Sequence, residues 1–314
     1  MNDAPPTGSG SRSMSGFAAA VLAVCVIAGV VALELLLFPS LRFWNKPVDE
    51  LQQGIEAYRK LDYDGAIRHF SEAIVRRPTS DIAYNWRGMT YQSKGEPNKA
   101  LADYDTAIRF NPTSAGLYYN RAMVHAFKRN YADADADYNE AIRLNPTYAV
   151  AYNNRANVHK ARGDFDQSLA DYTAAIRLDP TNALFLANRA HAYRTQGDFA
   201  RAIEDYERAV RFAPDEPDGF NSLAWLWSTC PQAAYRDGKK AVEYATMACE
   251  LTKWKDCAPI DTLAAAYAEA GDFEQAVNWQ TKCLEFPNLP TGEARGLTDR
   301  LALYQAGKPY YADK

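Results

Sequence analysis

The sequence predicts an all-α protein: a solenoid of about seven helix–turn–helix repeats, preceded by one transmembrane helix and followed by a C-terminal capping helix. Three observations predict this architecture. One set of residue types recurs every 34 positions, each period holds two helix-forming segments with a turn between them, and an apolar segment precedes the first period. We therefore divide the chain into an N-terminal tail, a transmembrane helix, a juxtamembrane linker, the solenoid, and a capping helix with its tail, at residues 1–16, 17–38, 39–46, 47–290 and 291–314.

The composition is that of a globular protein with enough apolar material for a core. Of 314 residues, 47% are hydrophobic and 24% are charged. The 35 basic and 39 acidic residues leave a formal net charge of -4 and are mixed along the chain. Because binding to a phosphate backbone requires a concentrated basic surface, the composition argues against a nucleic-acid partner.

The N-terminal region combines a Gly/Ser/Pro-rich tail, which we expect to be disordered, with an apolar run over residues 17–38. A helix of this length spans about 33 Å, which matches a bilayer hydrocarbon core of about 30 Å. A cleaved signal peptide is the alternative, but it has a shorter apolar run and a small-residue cleavage site. We expect a retained anchor, followed by headgroup-level side chains: Arg42, Phe43, Trp44 and Lys46.

The positive charges on the two sides of this helix are balanced, so they determine no orientation. Arg12 and the terminal amine precede it, and Arg42 and Lys46 follow it. We expect a single-pass bacterial membrane protein with a short N-terminus in the cytoplasm and the solenoid on the periplasmic side.

The 34-residue period is most visible in the prolines, which end successive repeats at Pro78, Pro112, Pro146, Pro180 and Pro214. Small residues keep the same spacing on the first helix, at Gly54, Gly88, Ala122, Ala156 and Ala190. Aromatic residues keep it on the second helix, at Phe70, Tyr104, Tyr138, Tyr172 and Tyr206. Small side chains facing aromatic ones let two antiparallel helices approach closely, and such a hairpin buries its apolar faces only by stacking on its neighbours.

This combination of small, aromatic and proline positions resembles the tetratricopeptide repeat family. The resemblance covers five regular repeats from about Pro47 to Pro214. A sixth repeat contains an insertion at 231–240, a seventh begins near Ala258, and the segment from Thr291 fits a capping helix. The resemblance implies a right-handed superhelix whose first helices line a concave groove, with no enzymatic activity.

An arginine and an aspartate recur together in four consecutive repeats, 16 residues apart on facing helices. The arginines are Arg87, Arg121, Arg155 and Arg189, and the aspartates are Asp103, Asp137, Asp171 and Asp205. The remaining repeats lack both partners, and a partly buried arginine alone would be left unpaired. We predict structural ion pairs within one repeat or between neighbouring repeats, with a net stability contribution near zero.

Asn120, Asn154 and Asn188 directly precede three of these arginines, at places that the resemblance puts on the groove wall. One amide per repeat offers a donor and an acceptor to the backbone of an extended peptide. In the alternative interpretation, these amides bond to water or to neighbouring helix backbone. We expect further groove residues at Tyr119, Met123, Phe127, Asn157, Lys160, His191 and Arg194.

The mixture of apolar and basic groove residues fits an amphipathic or acidic-tipped peptide. The family's carboxylate clamp requires lysines where this sequence has Val150 and Asn153, so the resemblance does not extend to that clamp.

The sequence predicts no catalytic residue, cofactor or metal ion. His125 and His159 lie 34 residues apart, where other repeats have tyrosines, which indicates packing between helices. Equivalent places in adjacent repeats are too far apart to share a metal ion. Cys230, Cys249, Cys257 and Cys283 contain no CxxC pair and are interpreted either as buried thiols or, in an oxidising compartment, as disulfides.

Together, these features predict a membrane-anchored, non-enzymatic scaffold that binds a peptide segment of a partner protein of unknown identity. The alternative function is a structural protein that oligomerises through the surfaces of its solenoid.

Overall fold

The structure is a computed structural model that describes residues 41–287 and 289–312. The regular structure of these residues consists of α-helices and one short 3₁₀-helix, with no strand. The helices are α1 Leu41–Arg59, α2 Tyr63–Arg76, α3 Asp81–Ser93, α4 Pro97–Phe110, α5 Ala115–Phe127, α6 Tyr131–Leu144, α7 Ala149–Arg162, α8 Phe165–Leu178, α9 Ala183–Thr195, α10 Phe199–Phe212, α11 Pro217–Thr229, the 3₁₀-helix Ala233–Tyr235, α12 Gly238–Leu251, α13 Cys257–Glu269, α14 Phe273–Leu284 and α15 Thr291–Gln305.

The predicted N-terminal tail, 1–16, and transmembrane helix, 17–38, lie outside the described residues. Across 41–287 and 289–312, no helix combines the length and the apolar character needed to span a membrane. The first described helix begins at Leu41, so helical structure extends through the described part of the predicted linker, 39–46. Pro47 therefore lies inside α1, where it has no backbone N–H to donate to the preceding turn.

The chain forms two compact units, which divide after Pro112. In the first unit, α1 packs on α2 and α3 packs on α4. In the second unit, five hairpins follow in order, α5/α6, α7/α8, α9/α10, α11/α12 and α13/α14, and α15 packs against α14. From α3 to α11 the first helices begin 34 residues apart, at 81, 115, 149, 183 and 217, whereas α13 begins 40 residues after α11 because of the insertion.

In the five hairpins from α1/α2 to α9/α10, an aromatic residue of the second helix packs in the core against a small residue of the first. Tyr104, Tyr138 and Tyr172 are almost completely buried, as are Ala122 and Ala156. In the first unit the contact is closer, because a Cβ on Gly88 would lie 2.9 Å from Cε1 of Tyr104. The small residue therefore sets the distance between the two helices.

Polar caps and left-handed residues define the helix ends. At the start of several helices, the side-chain oxygen of the N-cap residue accepts a hydrogen bond from a backbone N–H group of the first turn; these N-cap residues are Asp62, Ser80, Asn182, Asp198, Asp237, Asp256 and Asp272. The turn inside the hairpin has positive φ at the same register position in five repeats: Leu61, Gly95, Arg129, Gly163 and Gly197. Glycine adopts this conformation without strain, whereas Leu61 and Arg129 adopt it at a cost.

The C-terminal end of the second unit is fastened in two ways. A disulfide joins Cys257, the first residue of α13, to Cys283 in the last turn of α14. After α15, Gly307 at φ 68° turns the chain back, and the backbone N–H of Ala312 donates to the carbonyl of Thr229 at 2.8 Å.

The structure distinguishes between the two interpretations of the C-terminal cysteines. Cys257 and Cys283 are disulfide-bonded, whereas Cys230 and Cys249 are buried thiols. Burial raises the pKa of the Cys249 thiol to about 12, so this thiol stays protonated and unreactive at neutral pH.

Candidate functional site

The first helices of the second unit enclose a cleft of about 630 Å³, which we call the main cleft. It is formed by the end of α7, one face of α9, the second half of α10 and the start of α11. A second cleft, of about 350 Å³, shares four lining residues with it and continues toward α13 and α15. The shared residues are His191, Tyr206, Asn221 and Ser222. The two clefts therefore meet along one surface of the unit.

Apolar and charged side chains occupy different parts of the main cleft. Leu184, 59% exposed, and Phe212 form an apolar part near the start of α9 and the end of α10. Lys160, in the last turn of α7, and His191, in the third turn of α9, form a basic part. Arg194 continues this basic part into the second cleft.

We call Lys160, His191 and Arg194 the cationic end. Nη2 of Arg194 lies 3.3 Å from Nε2 of His191. Burial, together with the charges of Lys160 and Arg194, lowers the pKa of His191 to about 4. Burial and the charge of Arg194 also lower the pKa of Lys160. In the described part of the chain, no carboxylate lies within ion-pair distance of any of these three side chains.

The predicted amide ladder is largely engaged inside the unit. Nδ2 of Asn188 donates to Asn153 Oδ1 at 3.0 Å, Nδ2 of Asn153 donates to Asn154 Oδ1 at 3.1 Å, and Nδ2 of Asn154 donates to Tyr119 Oη at 2.9 Å. Asn188 lines the main cleft, whereas Asn154 and Asn120 line neither cleft. Asn153, which is not one of the predicted groove residues, is buried at the centre of this chain of hydrogen bonds. These asparagines thus bond mainly to side chains of neighbouring helices, an arrangement that neither interpretation of the ladder had considered.

The other predicted groove residues also differ in position. Tyr119 packs against Tyr138 and Tyr148, with ring centroids 6.0 and 5.0 Å away, and Met123 packs in the same cluster. Asn157 accepts a hydrogen bond from the hydroxyl of Tyr172. Phe127 is exposed at the end of α5. None of these four predicted residues, Tyr119, Met123, Asn157 and Phe127, lines either cleft.

Several lining residues were not identified from the sequence. Leu184 and Trp225 lie 34 residues after Val150 and His191, so extending the repeat register along the first helices would have found them. Ser222 lies 34 residues after Asn188 and lines both clefts.

The recurring arginines and aspartates form four bidentate ion pairs. In each pair, Nε and Nη2 of the arginine donate to the two carboxylate oxygens at 2.6–2.9 Å. Nη1 reaches the second helix of the preceding repeat: Ser71 for Arg87, Asn139 for Arg155 and Thr173 for Arg189. The ion pairs thus lie within one repeat, the first of the two predicted alternatives, and the additional hydrogen bond of Nη1 to a neutral side chain connects the arginine to the preceding repeat.

Different ion pairs occupy the ends of the array. In the first unit, Glu50 accepts from Nδ1 of His69 at 2.9 Å and lies 3.2 Å from Arg76. Glu50, His69 and Glu72 are the one group of described residues close enough to hold a metal ion together. Because the Arg76 guanidinium already neutralises Glu50, this group is better described as an ion-pair cluster.

At the C-terminal end, Arg300 makes two bonds to Asp261, at 2.9 and 2.8 Å, and Gln280 donates to the same carboxylate. In the sequence, Asp261 is an isolated charged residue near the otherwise apolar start of α13, and this pattern indicates a buried carboxylate that needs a partner.

Comparisons with known proteins identify the repeats. Family models described as tetratricopeptide repeat match residues 82–114, 115–148 and 153–217. A TPR repeat-containing thioredoxin TDX from Oryza sativa subsp. japonica is 36% identical over 69 residues, which are 21% of this chain and 22% of that protein. The chain thus spans about a fifth of that relative's length.

Two solved structures show the same fold. One is the structure of Pseudomonas aeruginosa pilF. It superposes with a TM-score of 0.58 at 16% sequence identity, and the match covers 67% of this chain and 94% of that chain. The other is the APC/C hetero-tetramer Cut9-Hcn1, with TM-score 0.58, 19% identity, and coverage of 70% and 43%. At these identities the likeness concerns the fold alone.

The chain therefore contains tetratricopeptide repeats that form a helical solenoid. Proteins built from these repeats generally mediate protein–protein interactions.

Proposed function

We propose that this protein is a membrane-anchored, non-enzymatic docking protein that binds a peptide segment of a partner protein in the main cleft. The observation that carries the proposal is the cleft itself, which is open, has an apolar part beside a basic part, and is lined by successive first helices. A cleft of this volume and mixed lining accommodates several residues of an extended chain.

The proposed membrane attachment rests on the sequence of residues 17–38, which supplies an apolar segment of sufficient length. The Cys257–Cys283 disulfide supports a location outside the cytoplasm, because disulfides persist in oxidising compartments. Anchoring would confine the cleft to the bilayer surface and raise its effective concentration toward membrane-bound partners.

The proposal assigns no catalytic residue. His191 lies where the two clefts meet, and its ring nitrogen contacts Arg194 rather than a nucleophile. With its pKa lowered to about 4, it is largely neutral at pH 7.

The test is selection of a displayed random-peptide library against the full chain, followed by binding of the enriched peptides to two variants. Ser222→Trp fills the surface that both clefts share, and we expect it to abolish capture. Ala200→Trp places the same bulk at an exposed site on α10 that lines neither cleft, and capture should persist. Failure to enrich any peptide, or equal capture by the Ser222→Trp variant, would refute the proposal.

A further inference from the structure

We infer that the cationic end, where the main cleft meets the second cleft, is a carboxylate-binding subsite, in which an aspartate or glutamate side chain of the bound peptide lies among Lys160, His191 and Arg194. This inference rests on the proposed function, because the carboxylate belongs to the peptide that the same cleft holds. It adds the chemical class of one peptide side chain and the end of the cleft where that side chain binds.

The first argument is the contrast between two sets of cations on the same helices. On α7 and α9, Arg155 and Arg189 are each neutralised by a bidentate aspartate. Lys160 and Arg194 lie five residues further along these helices and have no carboxylate partner. The fold thus neutralises Arg155 and Arg189 internally, whereas Lys160 and Arg194 line the clefts without an internal carboxylate.

The second argument is the mutual position of the three groups. Lys160 and His191 both line the main cleft, and His191 and Arg194 both line the second cleft. The charges of Lys160 and Arg194 both act on His191, and the charge of Arg194 also acts on Lys160, so the three groups lie close together. Like charges brought together in a partly buried place raise the free energy of each other's charged form. A carboxylate placed among them removes this penalty and forms charge-assisted hydrogen bonds.

The remaining charges around the cleft leave this subsite basic. Asp261 in the second cleft is already bound to Arg300. Glu216 and Asp218 line the main cleft next to the start of α11, whereas Lys160 lies in the last turn of α7. Because alternate helices of successive hairpins point in the same direction, these acids lie at the opposite end of the helices, about 10 Å or more away along the axis.

The distance between the apolar and basic parts of the cleft also predicts the spacing of two residues in the bound peptide. His191 follows Leu184 by seven residues of helix, which correspond to about 10 Å. An extended peptide covers this distance in about three residues. We therefore expect the bound segment to carry an acidic residue about three positions from an apolar one.

The first experiment repeats the library selection with the full chain and with the double variant Lys160→Met/Arg194→Met, which keeps the apolar stems. Peptides enriched on the unaltered chain should carry Asp or Glu at one fixed position, and replacing that acid by its amide should weaken binding by at least about tenfold. On the double variant the amide and acid peptides should bind equally. The control Arg177→Met/Lys255→Met removes two exposed cations that line neither cleft and should keep the preference.

The second experiment follows the ionisation of His191 by NMR in the full chain. Binding of an enriched glutamate peptide should raise its pKa from about 4, and the matching glutamine peptide should raise it less. Peptides that bind in a Ser222→Trp-sensitive manner without an acidic preference would overturn this inference while leaving the proposed function intact. A pKa of His191 that the glutamate peptide leaves unchanged would overturn it too. If no peptide binds at all, both proposals fail together.

Discussion

Replacing Asp205 by alanine should destabilise the hairpin α9/α10 by about 3 kcal/mol. The Asp205 side chain is 3% exposed and accepts two bonds from Arg189, at 2.7 and 2.9 Å. Two charge-assisted hydrogen bonds correspond to about 3–6 kcal/mol. Arg189 keeps its bond to Thr173 and is 14% exposed, so water partly compensates the lost carboxylate and the lower end of this range applies.

The same structure predicts that removing both partners costs much less than removing one. In Arg189→Leu/Asp205→Leu no buried charge is left alone, and the destabilisation should fall below about 1 kcal/mol. The chain itself uses this solution in its sixth repeat, where the equivalent of Arg189 is Leu223. Urea unfolding followed by circular dichroism measures the totals, and hydrogen exchange of α9 and α10 locates the change, because repeats can unfold separately.

The control is the exposed Arg143–Glu140 pair, whose removal by Glu140→Ala should leave the unfolding midpoint unchanged. If Asp205→Ala and the double variant lose equal stability, the cost does not come from an unpaired buried arginine and our account of the four ion pairs is incorrect.

Three further predictions concern the ends, the turns and the cleft. Replacing Cys257 and Cys283 by serine should lower the free energy of unfolding by about 3.5 kcal/mol, because the disulfide restricts a loop of 26 residues in the unfolded chain. Thermal unfolding with and without reductant tests this prediction, and identical unfolding curves would contradict it. Gly163→Ala should destabilise the fold by about 1–2 kcal/mol through backbone strain alone, because φ is 85° and an added Cβ would meet no neighbour. Arg129→Gly should not destabilise the fold, and the midpoints of urea unfolding measure both effects. Because the pKa of His191 is lowered in the folded state, its contribution to stability should be complete above about pH 6.5 and decline toward pH 4; His191→Gln should remove this part of the pH dependence.

The sequence alone determined the repeat unit, since its cause is local and periodic. In the five regular repeats a proline follows each second helix and small residues face aromatic ones at a fixed interval. The helix bounds and the core residues Tyr104, Tyr138 and Tyr172 therefore follow from counting. The Arg–Asp pairs could be predicted for the same reason, because both partners recur in the same register.

The tertiary structure decided which polar side chains remain open to the cleft. Asn154 and Asn188 are equivalent in the repeat and both bond to Asn153, yet Asn154 also bonds to Tyr119 and lines neither cleft, whereas Asn188 lines the main cleft. A period describes equivalent backbone positions, but the hydrogen-bond partners of a side chain come from neighbouring helices whose sequences differ. For the same reason, only the folded arrangement paired Cys257 with Cys283 and Asp261 with Arg300, residues that are distant in sequence and belong to no repeating pattern.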